Sequence, residues 1–195
     1  MKEAKVKVVE RKMIAVIDTE TNWNNEMMSI GIVLSKEDDF RVTDQKYYII
    51  DPEWRVCGLF SNVLRIRDVK SEIADRKTAL SEISQWLSEN KVSRIFAYNA
   101  KFDQGLLPEL SDYSWYDIMR LAAYRQFNKS IPETAECCKT GRLKRNYGVE
   151  PIMRMLSGNY CYCEVHNAVR DAIDELEIMR LLGHPVDTYE IAIIE

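Results

Sequence analysis

Apolar residues run unbroken from Met13 to Ile17 and stop at Asp18, the first of two carboxylates two positions apart in "IDTET". A short apolar run bounded by polar residues predicts a buried strand over 13–19. The stretches "MMSIGIVLS" (27–35) and "QKYYIID" (45–51) predict two more strands. Their links, "TNWNNE" and "KEDDFRVTD", are short and polar, which suits antiparallel neighbours. Residues 52–70 carry no clear period and read as a loop with a short helical turn. Helical spacing follows in "SEIADRKTALSEISQWLSEN" (71–90), where Ile73, Leu80, Ile83 and Leu87 share a face and Ser71 is placed to cap the start. "SRIFAY" (93–98) reads as a buried strand, and "NAKFDQGLL" as a turn into a helix that Pro108 limits. "WYDI" (115–118) predicts one more short strand, leading into a helical "MRLAAYRQF". "VEPIMRML" and "NAVRDAIDELEIMRLLG" predict the last helices, the second stopped by Gly183.

Three strands in a meander, then alternating helices and strands, predict an α/β fold: a mixed five-stranded sheet flanked by helices. Residues 1–12, "MKEAKVKVVERK", interrupt their apolar positions with charges. They read as a charged extension before a single domain over 13–195, and as neither an export signal nor a membrane span.

Composition narrows the picture. A chain of 195 residues suffices for one domain with a real core. Five cysteines, an odd number without an export signal, lead to the expectation of reduced thiols in the cytoplasm. Cys137, Cys138, Cys161 and Cys163 raise a zinc alternative, but their spacing departs from the usual Cys-x2–4-Cys pattern, so reduced thiols are preferred. The net charge of −4 argues against coating long nucleic acid by charge alone. It leaves room for an enzyme that reaches a phosphodiester through bound metal ions.

Asp18 and Glu20 lie two apart, so on a strand they share a face. Held side by side they repel, and one retains its proton unless something positive sits between them. Asp103 follows the strand "SRIFAY" near a helix start, and Asp171 lies in the opening turns of the final helix. Each alone fits a solvated or capping acid. Four together, at element ends where α/β sheets place their crevice, point to Mg²⁺ or Mn²⁺. Two such ions about 3.5–4 Å apart would stabilise both attacking and leaving oxygens of a phosphodiester. His166 precedes Asp171 by five residues. Were both helical they would lie about 140° apart, so His166 is placed just before the helix, with Asn167 as N-cap. Beside four carboxylates its imidazole suits a general base; alone it would be a surface histidine. His184, between Gly183 and Pro185, reads as structural.

These residues carry a resemblance. "IDTET", "YNAKFD" and "HNAVRD" resemble, in order, the three motifs of the DEDDh 3′–5′ exonuclease family of the ribonuclease H-like superfamily. That family includes the proofreading subunit of bacterial DNA polymerase III and RNase T. The resemblance implies metal binding by Asp18, Glu20, Asp103 and Asp171, with His166 as general base. It also implies release of nucleoside 5′-monophosphates from the 3′ end of single-stranded DNA or RNA. It allows a polymerase partner in trans and a homodimer. Where the family often has Thr-Gly after Asp-x-Glu, this chain has Thr21, Asn22 and Trp23, the expected seat of the terminal nucleotide. Trp23 suits either base stacking or a loop anchor, and Phe102 reads as a core anchor. "KTGRLKRNYG" holds Lys139, Arg142, Lys144 and Arg145, which either steer a strand toward the site or form a solvated face. The competing function is a non-catalytic nucleic-acid-binding or polymerase-accessory module. A nicotinamide enzyme is set aside because no G-x-G-x-x-G follows the first strand.

Overall fold

β1 (Met13–Thr21) lies inside the sheet, with β2 (Met27–Lys36) antiparallel on one side and β5 (Val92–Ala97) parallel on the other. The computed structural model describes residues 12–194, so the charged extension expected over 1–12 falls almost wholly outside the described residues. β3 (Val42–Ile50) continues the antiparallel meander. β4 (Glu72–Ala74) and β6 (Ser114–Asp117) close the two edges in parallel pairings, giving the order β4-β3-β2-β1-β5-β6. The mixed, helix-flanked sheet was expected; its sixth strand was not.

That strand, β4, explains a shifted helix. Ile73 stands seven residues before Leu80 and so mimics the helical face, yet it pairs with Ile49 of β3 and is half exposed. The helix α1 is shorter, Arg76–Glu89, and its cap is Asp75 rather than Ser71. The Asp75 carboxylate accepts from the Thr78 N–H at 3.0 Å and from the Thr78 hydroxyl at 2.7 Å.

The sheet is covered on both faces, which is why β2 reads as one apolar run. On one face Ile14 and Val16 pack with Phe96 and with residues of α4 (Val149–Ser157) and α5 (Ala168–Leu182). On the other, Ala15 and Ile17 pack against Leu80, Ile83 and Leu87 of α1 and against Trp115. Side chains alternate along a strand, so Asp18 and Glu20 continue the Ile14/Val16 row toward α5.

The helix expected over "MRLAAYRQF" stops early: α3 spans only Met119–Ala122. The following loop pairs with itself, Tyr124 with Arg142 and Cys137 with Leu143. The Arg125 guanidinium bonds the Ala135 carbonyl at 2.7 Å across its base. A side chain closing a loop leaves no periodic trace in the sequence. All five cysteines are free, and among the described residues no three of them converge as metal ligands would. No described helix is long and apolar enough to cross a membrane.

Candidate metal centre

The site forms where α5 presses onto β2. Gly31 pairs with Asp18 across the β1–β2 ladder, and a Cβ at Gly31 would lie 2.1 Å from the backbone nitrogen of Val169. Only glycine lets the first turn of α5 lie this close. That approach brings Asp171 to the face carrying Asp18 and Glu20. Asp103 arrives on α2 (Lys101–Leu106) and accepts a hydrogen bond from the Thr19 hydroxyl at 2.7 Å. The turn before α2 is fixed by Asp117 at the end of β6. Its carboxylate accepts the N–H groups of Asn99 at 2.9 Å and Met119 at 3.0 Å.

Donor atoms of Glu20, His166 and Asp171 all lie within 4.8 Å of one another. Asp18 joins them electrostatically: Asp103, Glu175, Asp171 and Glu20 all act on it. Burial first, then these acidic neighbours, pushes Asp18 well above the usual carboxylate range. Burial, then Asp171, Glu164 and Asp103, takes Glu20 to about 8; burial, then Glu164 and Asp174, takes Asp171 to about 8. Burial likewise raises Asp103 to about 7, against the pull of the Thr19 hydroxyl. Asp18 Oδ2 and Asp171 Oδ1 are buried without a hydrogen-bond partner. Orphaned acceptors among repelling carboxylates are what a divalent cation satisfies, and oxygen donors with one imidazole suit a hard or borderline ion.

His166 sits one residue ahead of Asn167, the N-cap residue of α5, as expected. Its backbone is left-handed, φ 60°, and its ring stacks on Phe60 with centroids 3.9 Å apart and planes 14° from parallel. A left-handed non-glycine residue costs about 1–2 kcal/mol, a strain that recurs at functional sites. Burial lowers the His166 pKa and Glu150 opposes it, so the ring favours its neutral, proton-accepting form. The Asn167 side chain does not cap. Its Nδ2 instead donates to the Val63 carbonyl at 2.7 Å and the Tyr47 hydroxyl at 3.1 Å. That pair pins α5 to β3 and to the loop carrying Phe60. His184 is structural, its Nε2 lying 2.8 Å from the Phe127 carbonyl.

Thr21, Asn22 and Trp23 lie where β1 leaves the sheet. Asn22 is buried and its amide organises the turn: Oδ1 accepts the N–H groups of Asn24 and Glu26, and Nδ2 donates to Glu26 and to the Glu53 carbonyl. The left-handed residue of this turn is Asn25, φ 60°. The Trp23 N–H bonds the Cys57 carbonyl at 2.9 Å, while its indole is 65% exposed. Phe102, expected in the core, is instead 49% exposed, because α2 turns that position away from the sheet so that Asp103 can face inward. Lys144 and Arg145 are exposed, and Arg142 lies over the Tyr147 ring, 5.2 Å from its centroid. Tyr147 is tied inward, its carbonyl accepting from the Tyr98 hydroxyl.

Two acids near the centre escaped the sequence reading. Glu164 acts on both Glu20 and Asp171, and burial raises it to about 7. Glu175 is buried one turn beyond Asp171. Its signal was available: a glutamate four residues after Asp171 falls in the apolar row of α5.

No protein-family model matches the chain, and no curated protein matches it. Solved structures do. The nuclease domain of 3′hExo, a DEDDh family member bound to rAMP, matches with TM-score 0.62 and 16% identity, over 96% of this chain and 98% of that one. Exonuclease I of E. coli with a 5cy-dT13 oligonucleotide matches with TM-score 0.61 and 14% identity, covering 92% of this chain and 42% of that one. A 3′-exonuclease recognising the histone mRNA stem-loop matches with TM-score 0.58 and 14% identity, over 90% and 65%. The chain thus spans about two-fifths of the exonuclease I chain it matches. It has the fold of the DEDDh exonuclease domains.

Proposed function

We propose that this chain is a metal-dependent 3′–5′ exonuclease acting on single-stranded DNA or RNA and releasing nucleoside 5′-monophosphates. The observation that carries the reading is the meeting of Glu20, His166 and Asp171 within ligand distance, with Asp18 and Asp103 electrostatically joined to them and buried carboxylate oxygens lacking partners. The fold it shares with nuclease domains supports the same reading, as do the three ordered motifs.

Asp18, Glu20, Asp103 and Asp171 would hold two Mg²⁺ or Mn²⁺ ions, which supply Lewis-acid polarisation of the phosphodiester and lower the pKa of water. The rest follows from the chain's own groups. Neutral His166 accepts the proton of the attacking water. Water oxygen bonds to phosphorus as the bond from phosphorus to the 3′ oxygen breaks. The departing 3′ oxygen takes up a proton from solvent water and stays with the shortened strand as its new 3′ hydroxyl, and the nucleotide leaves with its 5′ phosphate. Trp23, exposed at the end of β1, offers a face on which the terminal base stacks irrespective of sequence.

The test is mononucleotide release from 5′-labelled DNA and RNA oligomers with Mg²⁺ or Mn²⁺, alongside an Asp18→Ala control. Stepwise shortening that needs the ion and disappears in the control supports the reading. Absence of metal-dependent release from both polymers overturns it and favours a non-catalytic binding module.

A further inference from the structure

Residues 158–166 bring the chain from α4 toward α5 and end on His166, yet none of them is buried. Tyr160 is 81% exposed. Tyr162 packs partly against the core, and its hydroxyl donates to the Asp174 carboxylate on α5. Bonds within the turn, such as the Cys161 N–H to Asn159 Oδ1 at 3.1 Å, shape the loop without placing it. A segment with so little apolar burial opens at low cost unless polar contacts hold it. His166 needs the reverse, since its left-handed backbone and its stacking on Phe60 define one position for the ring.

The hold comes from α4. Glu150 and Arg154 lie one turn apart in the order that favours an ion pair, with Glu150 Oε1 and Arg154 Nη2 2.8 Å apart. Both also reach the loop. Arg154 Nε donates to the Tyr162 carbonyl at 2.7 Å, and its Nη2 lies 3.7 Å from Cys163 Sγ. Glu150 Oε2 accepts the Glu164 N–H at 3.2 Å. Three consecutive residues are thus gripped, the last of them two positions before His166. Glu150 is also near enough to His166 to act on its ring. A partly exposed ion pair contributes little to folding stability. This one instead turns its remaining donor and acceptor atoms on a single loop.

We propose that Glu150 and Arg154 are positioning residues for the general base, a latch on α4 that grips Tyr162, Cys163 and Glu164 and so holds His166 beside Glu20 and Asp171. Neither residue touches the reacting atoms; both act through the loop. The proposal rests on the nuclease reading for the role of His166.

The test compares Arg154→Met and Arg154→Lys with the wild type in the full chain, by amide hydrogen exchange over residues 159–166 and by oligonucleotide kinetics with Mn²⁺. Methionine keeps much of the apolar stem; lysine keeps the charge but lacks the planar fork that serves Tyr162 and Glu150 together. In both variants the loop exchanges faster while the melting temperature stays near the wild-type value. In both, kcat falls about 10–100-fold with KM little changed, because a misplacement of about 1 Å is enough to cost about 10²-fold. Wild-type kcat in a folded Arg154→Met protein overturns the proposal, whatever its exchange rate. So does a raised KM in Arg154→Met that Arg154→Lys restores, which would make Arg154 a contact for the phosphate backbone. Glu150→Ala removes the Glu164 bond independently and should repeat the loss of kcat; wild-type kcat there overturns the joint role of the pair. Failure of the nuclease reading would look different: no nucleotide released by the wild type, with the loop still loosened in the variants.

Discussion

Gly31 and Val169 meet so closely that a Cβ on the glycine would sit 2.1 Å from the Val169 nitrogen and 2.2 Å from the Ala168 carbonyl carbon. Both obstructing atoms are backbone, so no rotamer change relieves the clash. Gly31→Ala therefore lifts the first turn of α5 off β2 and withdraws Asp171 from Asp18, the partner of Gly31 in the ladder. The expected cost lies at or above the upper end of the usual 1–3 kcal/mol, about 3, for overpacking a well-filled interior. Chemical denaturation measures it. Because the displaced helix carries Asp171, nuclease activity falls further than the unfolded fraction explains.

Phe60 shields one face of His166 by stacking at 3.9 Å. Burial is the leading cause of the lowered His166 pKa, with Glu150 opposing it. Phe60→Ala admits water to the ring, so the pKa rises toward its ordinary 6.5. A base that protonates more readily is lost at higher pH, and the acid limb of the kcat/KM profile moves upward. An unmoved limb would mean that Phe60 does not set the ionisation of His166. His166→Ala, by contrast, lowers kcat by about 10²–10⁴ across the whole profile, the usual contribution of a positioned base.

The parts of this molecule legible in its sequence are those written in periodicity or in ordered motifs. Met13–Ile17 announced β1, and the row Ile14, Val16, Asp18, Glu20 set the two acids on one face of it. What stayed hidden depends on contacts between distant residues. β4 is three residues long, too short for a period, and exists only through its pairing with β3. The Asn167 amide looked like a cap, yet Val63 and the Tyr47 hydroxyl, more than a hundred positions away, claim it. Phe102 read as apolar and hence internal, but inward orientation on that short helix belongs to Asp103. Phe60, from a segment without any period, could be joined to His166 only in three dimensions.

Lys144 and Arg145 project from the loop after α3, whose end is tied to Tyr98 beside the acidic centre. In a chain of net charge −4 this exposed pair is placed to meet a polyanion on its way in. Lys144→Ala with Arg145→Ala should raise KM for long oligonucleotides and leave kcat unchanged. For single strands each lost phosphate contact reduces the slope of log affinity against log salt by about 0.7, so the double variant flattens it by roughly 1.4. Equal slopes in the variant and the wild type would make the pair a solvated face.

The carboxylates of the centre make the metal-free protein respond to pH in the direction opposite to ordinary acid denaturation. Glu20 and Asp171 sit at about 8 in the fold, and Asp103 and Glu164 at about 7, against ordinary values of 3.8 for Asp and 4.5 for Glu. Between those limits the folded chain holds protons that the unfolded chain has released. Stability then falls as pH rises, since its slope follows protons bound unfolded minus protons bound folded. The contribution is fully present near pH 4, erodes through the neutral range and is gone above about 8. His166, with its lowered pKa, pulls the other way, but it is one group and acts only below its ordinary 6.5. Melting followed by circular dichroism should show the metal-free protein losing thermal stability from pH 5 to 8.5 and levelling beyond. Mg²⁺ reverses the loss, and its stabilising effect grows with pH because ions and protons compete for the same oxygens. Glu20→Gln removes one repelling charge, so the metal-free variant melts higher than the wild type at pH 8.5 while gaining less from Mg²⁺. A metal-free melting temperature that is flat or rises over this range would mean that these acids are not the mutually repelling, buried group from which the metal centre has been argued.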